Sequence, residues 1–238
     1  MCFSAAASFA TAALLLPAGA EALRRCRSTG RSGLLPLSFL PLGFALQQAL
    51  EGFVWRNLSP QTSLGLDAPG GWLTPLALAY LFFAYGLWPA WIPWCALCAA
   101  RGRVGPAALW ALRGLLALGL LGGLALWLPL LLDPALAGPV LVRHSLHYGA
   151  VELLGGTPLA GKGPMLYLLL IAVPLLLVPS RGIQLFGTSL ALSSLLAYGW
   201  WQQAFSSVWC FFSALLSLQL LWILRAETPP LAPLEVPA

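Results

Sequence analysis

The chain has 238 residues, 60% of them hydrophobic and 8% charged, with a formal net charge of +5 and a mean hydropathy of +0.86. A water-soluble domain carries about 25% charged and roughly 45–50% apolar residues, so this composition excludes a soluble globular fold and any sizeable soluble domain. Eleven Arg and one Lys oppose seven carboxylates; in so apolar a chain the position of the basic residues matters more than their sum, and nucleic acid is not an expected partner.

In chain order, apolar runs broken by charge and by Gly/Pro clusters predict seven membrane-length helices, near residues 4–23, 34–55, 72–94, 109–132, 164–179, 183–201 and 204–224. The expected fold is all-α: one seven-helix transmembrane bundle over residues 1–227, followed by a disordered Pro-rich cytoplasmic tail over 228–238. No cleavable leader is expected, because the opening lacks a charged n-region and its apolar run continues to membrane length. With the N-terminus outside, Arg24, Arg25, Arg27, Arg31, Arg101, Arg103, Arg113, Arg181 and Arg225 lie inside, and Arg56, Arg143 and Lys162 lie outside. Nine against three is the asymmetry of an N-out, C-in multi-pass protein, here expected in a bacterial cytoplasmic membrane.

Trp72, Trp88, Trp91, Trp94, Trp127, Trp200 and Trp201 fall near span ends, where amphipathic rings anchor at the headgroup level. Pro89 and Pro93 predict a kink in the third span or its early end. The connection from Asp133 to Gly163, about 31 residues, is too long to be structureless. Within it Val140 to Leu154 has helical periodicity and is expected to form an interfacial helix on the outer face.

Polar residues inside a bilayer are expensive, so their positions point to function. Ser4, Ser8 and Thr11 share one face of the first span; Gln47, Gln48 and Glu51 form a patch near the outer end of the second; Gln202, Ser206, Cys210, Ser213 and Ser217 make a stripe on the seventh, with Trp209 beside it. Glu51 is the carboxylate expected within a span, since Glu21 can pair with Arg24 and Arg25 at the inner interface. Both histidines of the chain, His144 and His147, are expected on one face of the interfacial helix. Imidazole suits a transition metal such as zinc, and Glu51, Cys2 or Cys210 supplies a further ligand type. Cys95 and Cys98, at the inner end of the third span with Cys26, read as packing residues or as a dithiol.

Three segments together resemble a known group: Met1-Cys2-Phe3-Ser4-Ala5 with Ser8-Phe9; Gln47-Gln48-x-x-Glu51-Gly52-x-x-Trp55; and Ser207-x-Trp209-Cys210-Phe211-Phe212 with Ser217. They look like an uncharacterised family of small bacterial polytopic membrane proteins that open with Met-Cys-Phe-Ser-Ala, and His144, His147 and Tyr148 look like its histidine-containing outer segment. The resemblance implies no activity. Membrane hydrolases related to alkaline ceramidases hold zinc with three histidines, one more than this chain has. Sugar carriers of the SWEET type share a faint parallel repeat, Gln47-Gln48-Ala49 against Gln202-Gln203-Ala204. A retinal protein is excluded because the one lysine, Lys162, lies in a connection.

These features converge on a polar site in the outer half of the bundle. In the leading reading it is a membrane-embedded, metal-dependent enzyme acting on a lipid-like or small apolar substrate. Glu51, Cys2 and Ser4 are then the catalytic candidates, His144, His147, Glu51 and Cys210 the metal ligands, and Gln47, Gln48, Gln202, Ser206, Trp209 and Tyr148 the cavity lining. The alternatives are a small-solute or proton-coupled carrier, and a non-catalytic subunit or assembly factor with a membrane-protein partner. Orientation is open to direct test: a cytoplasm-active reporter fused after Ala238 is expected to be active, and a reporter that works only after export is expected to be silent there.

Overall fold

In hydrocarbon a segment must satisfy its own backbone N–H and C=O groups, and a helix does so within a single run of chain. The computed structural model, which describes residues 4–58, 71–142, 145–148, 162–201 and 204–226, places helices at the seven predicted positions: α1 (Ala5–Ser28), α2 (Ser32–Asn57), α3 (Leu73–Ala100), α4 (Pro106–Leu132), α5 (Gly163–Leu176), α6 (Arg181–Trp201) and α7 (Phe205–Arg225). Five of them, α1 to α4 and α7, are long and apolar enough to cross a membrane, and α5 is a shorter apolar helix. Ser4, expected near a catalytic centre, caps α1 by accepting a hydrogen bond from the Ala7 N–H at 3.3 Å. This satisfies one of the donors that a helix start leaves open.

α1 packs along α2, α3 along α4, and α5 along both α3 and α6, while α7 closes against α6 and α2. One face of α4 stays largely uncovered, with Leu118, Leu121, Leu124 and Leu132 exposed, as befits a surface solvated by lipid tails. Its opposite face is drawn tightly onto α3: Gly119 lies against the Pro89 carbonyl, and a Cβ at Gly123 would stand 2.7 Å from the Gly86 oxygen. Those carbonyls belong to a disturbed stretch. Instead of ending α3 or breaking it, Pro89 follows a π-helical turn, Phe82–Leu87, after which the helix runs on to Ala100. Because Pro89 has no N–H to give, the ladder ahead of it must rearrange, and the Tyr167 hydroxyl of α5 donates to the carbonyl of Ala84 within the π turn.

The two ends of the bundle differ. At one, Arg24 and Arg25 both pair with Glu21, at 2.7 and 2.5 Å, and the turns after α1, α3 and α5 come together, with the Arg103 guanidinium donating to the Pro179 carbonyl at 3.1 Å. At the other end, a short 3₁₀ turn (Pro134–Ala137) leads into strands β1 (Pro139–Val142) and β2 (Ser145–Tyr148), paired antiparallel with Leu141 opposite Leu146 and Val140 opposite His147.

This hairpin replaces the interfacial helix expected over 140–154, of which residues 143–144 and 149–154 lie outside those described. Residue type and packing both favour the strand. Val140 and Val142 are β-branched, and Leu146 and Tyr148, two residues apart, are both buried, which is the period of a strand rather than a helix. The described residues thus form a helical fold with one small sheet. The tail expected over 228–238 also lies outside the described residues.

The close approach of α3 and α4 predicts a paired outcome. Gly119→Ala should lower the thermal midpoint in detergent, at a cost of about 1–3 kcal/mol, because its Cβ meets backbone. Gly114→Ala, with open space around it, should leave the midpoint unchanged or raise it. Thermal denaturation followed by circular dichroism reads both.

Candidate functional site

Of the described carboxylates, Glu21 is ion-paired at the basic end, Asp133 caps the 3₁₀ turn by accepting from Ala135 N–H at 3.2 Å, and Glu51 is enclosed, with 2% of its surface exposed. Glu51 sits on α2 one turn beyond Gln47 and Gln48, so all three share a face, and each is buried. That face meets α7. Ser207 Oγ donates to Glu51 Oε1 at 2.5 Å, and Gln48 Nε2 donates to Glu51 Oε2 at 3.2 Å. One turn along α7, Cys210 Sγ accepts from Gln47 Nε2 at 3.3 Å, while Gln47 Oε1 accepts from the indole N–H of Trp88 at 2.8 Å. The cluster therefore ties α2, α3 and α7 together through side chains.

A second layer lies on the hairpin side. The Tyr85 hydroxyl, in the π turn, shares a hydrogen bond with Ser206 Oγ at 2.7 Å, and Tyr80 OH donates to the Ser206 carbonyl at 3.4 Å. Tyr148 from β2 stacks on Tyr80, with ring centroids 5.0 Å apart. Tyr80, Tyr148 and Cys210 all lie within electrostatic reach of the Glu51 carboxyl. Among the described residues no cation pairs with Glu51, and Gln48 Oε1 and Tyr148 OH are buried without a hydrogen-bond partner. Buried polar atoms without a partner are costly to keep.

Next to Cys210 runs a cleft walled by Phe44, Trp88, Tyr167, Trp209 and Ser213, from five helices counting Phe186. Its free volume is about 20 Å³, room for roughly one water.

The expected residues fare unequally. Gln47, Gln48, Glu51 and Cys210 come together as anticipated, Ser206 and Tyr148 line the adjoining layer, and Trp209 faces the cleft, its indole donating to Ser193 Oγ at 3.2 Å. Ser4 is a helix cap, as described above. Cys2, His144 and Gln202 lie outside the described residues. His147 alternates along β2 with Leu146 and Tyr148 and so extends to the other side of the hairpin; it lies on a strand and not on the helical face expected for it. Among the described residues no three His, Cys, Asp or Glu side chains gather into a metal-holding group; of the expected ligands His144, His147, Glu51 and Cys210, the first lies outside the described residues.

Sequence reasoning did not single out Tyr80, Tyr85 or Trp88 as site residues, and placed Ser207 only within a motif. Ser207 could have been found from its i, i+3 relation to Cys210. Trp88, expected as an interfacial anchor, is buried at 4% exposure, whereas Trp72 and Trp200 are 71% exposed as anchors should be.

A family model described as a family of unknown function, DUF6629, matches residues 1–233. The chain belongs to DUF6629. No curated protein and no solved structure matches it, so the chemistry of this DUF6629 member has to be read from the cluster itself.

Two substitutions separate the used from the unused polar atoms. Gln47→Leu strands the Trp88 N–H and removes two hydrogen bonds, and should destabilise by about 1–3 kcal/mol. Tyr148→Phe deletes a hydroxyl that has no partner among the described residues and should leave the thermal midpoint within error or raise it.

Proposed function

We propose that the protein is a proton-linked carrier of a small solute, with Glu51 as the group that takes up and releases the proton. The observation that carries this reading is the enclosed Glu51 carboxyl, held by neutral donors from α2 and α7 beside two unspent polar atoms. An ionisable residue inside a bundle marks ion and proton pathways more often than structural glue.

The local geometry supports a reversible proton load. Both Glu51 oxygens accept hydrogen bonds, and Gln48 Oε1 accepts none. A proton arriving on Glu51 Oε2 needs an acceptor, and rotating the Gln48 amide about its last bond presents Oε1 where Nε2 stood. One hydrogen bond joins the two side chains in either state, so the carboxyl gains or gives up its proton without leaving its place. Ser207, free to rotate its hydroxyl, adjusts on the other oxygen.

The aromatic cleft beside Cys210 draws walls from α2, α3, α5, α6 and α7. At about 20 Å³ it is closed to any solute larger than water, and we read this as an occluded form. Opening requires α3 or α7 to shift, and the π turn of α3, a kind of irregularity that recurs at functional sites, supplies a point of give next to Tyr85. The metal-dependent enzyme is the second reading, and among the described residues no three metal-ligand side chains gather to support it. The basic end is assigned to the cytoplasm, with the Glu51 cluster in the outer half.

Proteoliposomes enclosing a pH-sensitive dye test the proposal, with inward gradients of amines, amino acids and sugars imposed in turn. At least one gradient is expected to change the lumenal pH, about tenfold more slowly for Glu51→Gln and at an intermediate rate for Glu51→Asp. No response of the parent protein to any of these gradients would overturn the carrier reading.

A further inference from the structure

Tyr80, Tyr85 and Tyr148 stand on the hairpin side of Glu51, and they differ in how their hydroxyls are used. Tyr80 OH donates to the Ser206 carbonyl at 3.4 Å, and Tyr85 OH shares a hydrogen bond with Ser206 Oγ at 2.7 Å. The Tyr148 hydroxyl has no hydrogen-bond partner among the described residues, although the residue is only 1% exposed.

The ring that carries this hydroxyl is held in place. Tyr148 lies flat on Tyr80, with 15° between the ring planes, and β2 packs against α7. Glu51, Cys210 and Tyr85 are the titratable groups within electrostatic reach of the Tyr148 hydroxyl, and Tyr80 is the one stacked on its ring. A fixed ring therefore presents an uncommitted O–H in the neighbourhood of the enclosed carboxyl.

The other polar hydrogens around Glu51 are already spent. Ser207 Oγ and Gln48 Nε2 donate to the carboxyl oxygens themselves, and Gln47 Nε2 donates to Cys210 Sγ. All three belong to α2 and α7. Tyr148 instead belongs to the hairpin, whose strand β2 turns Leu146 and Tyr148 toward the cluster and His147 away from it. A buried hydroxyl without a protein partner is commonly satisfied by water, and a phenol can accept one hydrogen bond while donating another. Those are the two requirements of a proton relay.

We propose that the Tyr148 hydroxyl relays protons between water on the hairpin side and Glu51. A hydronium ion at the hairpin gives a proton to the phenol oxygen, the phenol's own hydrogen passes to a bridging water, and that water gives a hydrogen to the Glu51 carboxylate. Three O–H bonds break and three form, the tyrosine stays neutral, and one proton has reached Glu51; release runs the same steps in reverse. The inference rests on the reading of Glu51 as the proton-bearing group and names the residue that serves it.

The test uses the full chain in detergent, held at alkaline pH and acidified by a laser flash on a caged proton, with time-resolved infrared absorption as the readout. Protonation of Glu51 appears as a carboxylic acid C=O band that rises after the flash and is missing in Glu51→Gln. Tyr148→Phe keeps the ring and deletes only the hydroxyl, so the band is expected at the parent frequency and final amplitude but rising at least about tenfold more slowly. Tyr198→Phe, which deletes a hydroxyl from a residue 40% exposed on α6, is expected to stay within about twofold of the parent rate. An unchanged rate in Tyr148→Phe, or equal slowing in Tyr198→Phe, overturns the relay and leaves Glu51 as the proton-bearing group. A slower rise with a shifted band or lost amplitude also overturns it, because the hydroxyl then shapes the surroundings of the carboxyl without passing protons. A parent protein with no Glu51-dependent band removes the relay and the proton-bearing role of Glu51 together.

Discussion

A carboxyl group enclosed among apolar helices, with hydroxyl and amide partners but no described cation, is the constraint around which the rest of this bundle is arranged. An unpaired charge in such a place costs several kcal/mol or more, so the groups around Glu51 must be held accurately. α2 supplies Gln47 and Gln48 on the same face, α7 supplies Ser207 and Cys210 one turn apart, and α3 supplies Trp88 to fix the Gln47 amide. Each of these bonds crosses a helix interface or joins adjacent turns, and together they specify the relative rotation of three helices more sharply than interdigitating leucines would.

The irregular part of α3 follows from the same demand. Tyr85 and Tyr80 reach Ser206 from the two sides of the start of the π turn, and Pro89 forbids the regular ladder just beyond it. The freed carbonyls do not face lipid. Ala84 is met by the Tyr167 hydroxyl, and those of Gly86 and Pro89 lie under the glycines of α4. Small residues let a neighbouring backbone cover polar groups that hydrocarbon could not tolerate. The hairpin then seals the open end of the cluster by laying Tyr148 flat on Tyr80, a service an amphipathic helix at that position would not render with a single ring.

The basic end obeys different physics. Arg24, Arg27, Arg101 and Arg103 are exposed there, so charge is cheap and can be concentrated. Glu21 neutralises part of it along one turn of α1, and Arg31, Arg101 and Arg103 lie on turns whose glycines allow the chain to double back. The molecule thus keeps a buried polar cluster around Glu51 and exposed arginines at its basic end.

From the sequence alone one could read the helices, the basic asymmetry of their ends and the candidacy of Gln47, Gln48, Glu51 and Cys210. These rest on local composition and on the 3.6-residue period, which need no knowledge of neighbours. The hairpin was misread because Val140 to Tyr148 is short enough for helical and strand periods to overlap, and contact with Tyr80 decides between them. The tertiary structure alone revealed Ser207 as the partner of Glu51, Trp88 as a buried donor instead of an interfacial anchor, and His147 on a strand instead of a helix. Which polar groups meet depends on how each helix is rotated about its axis, and that rotation is set by packing against other helices, information that no single segment contains.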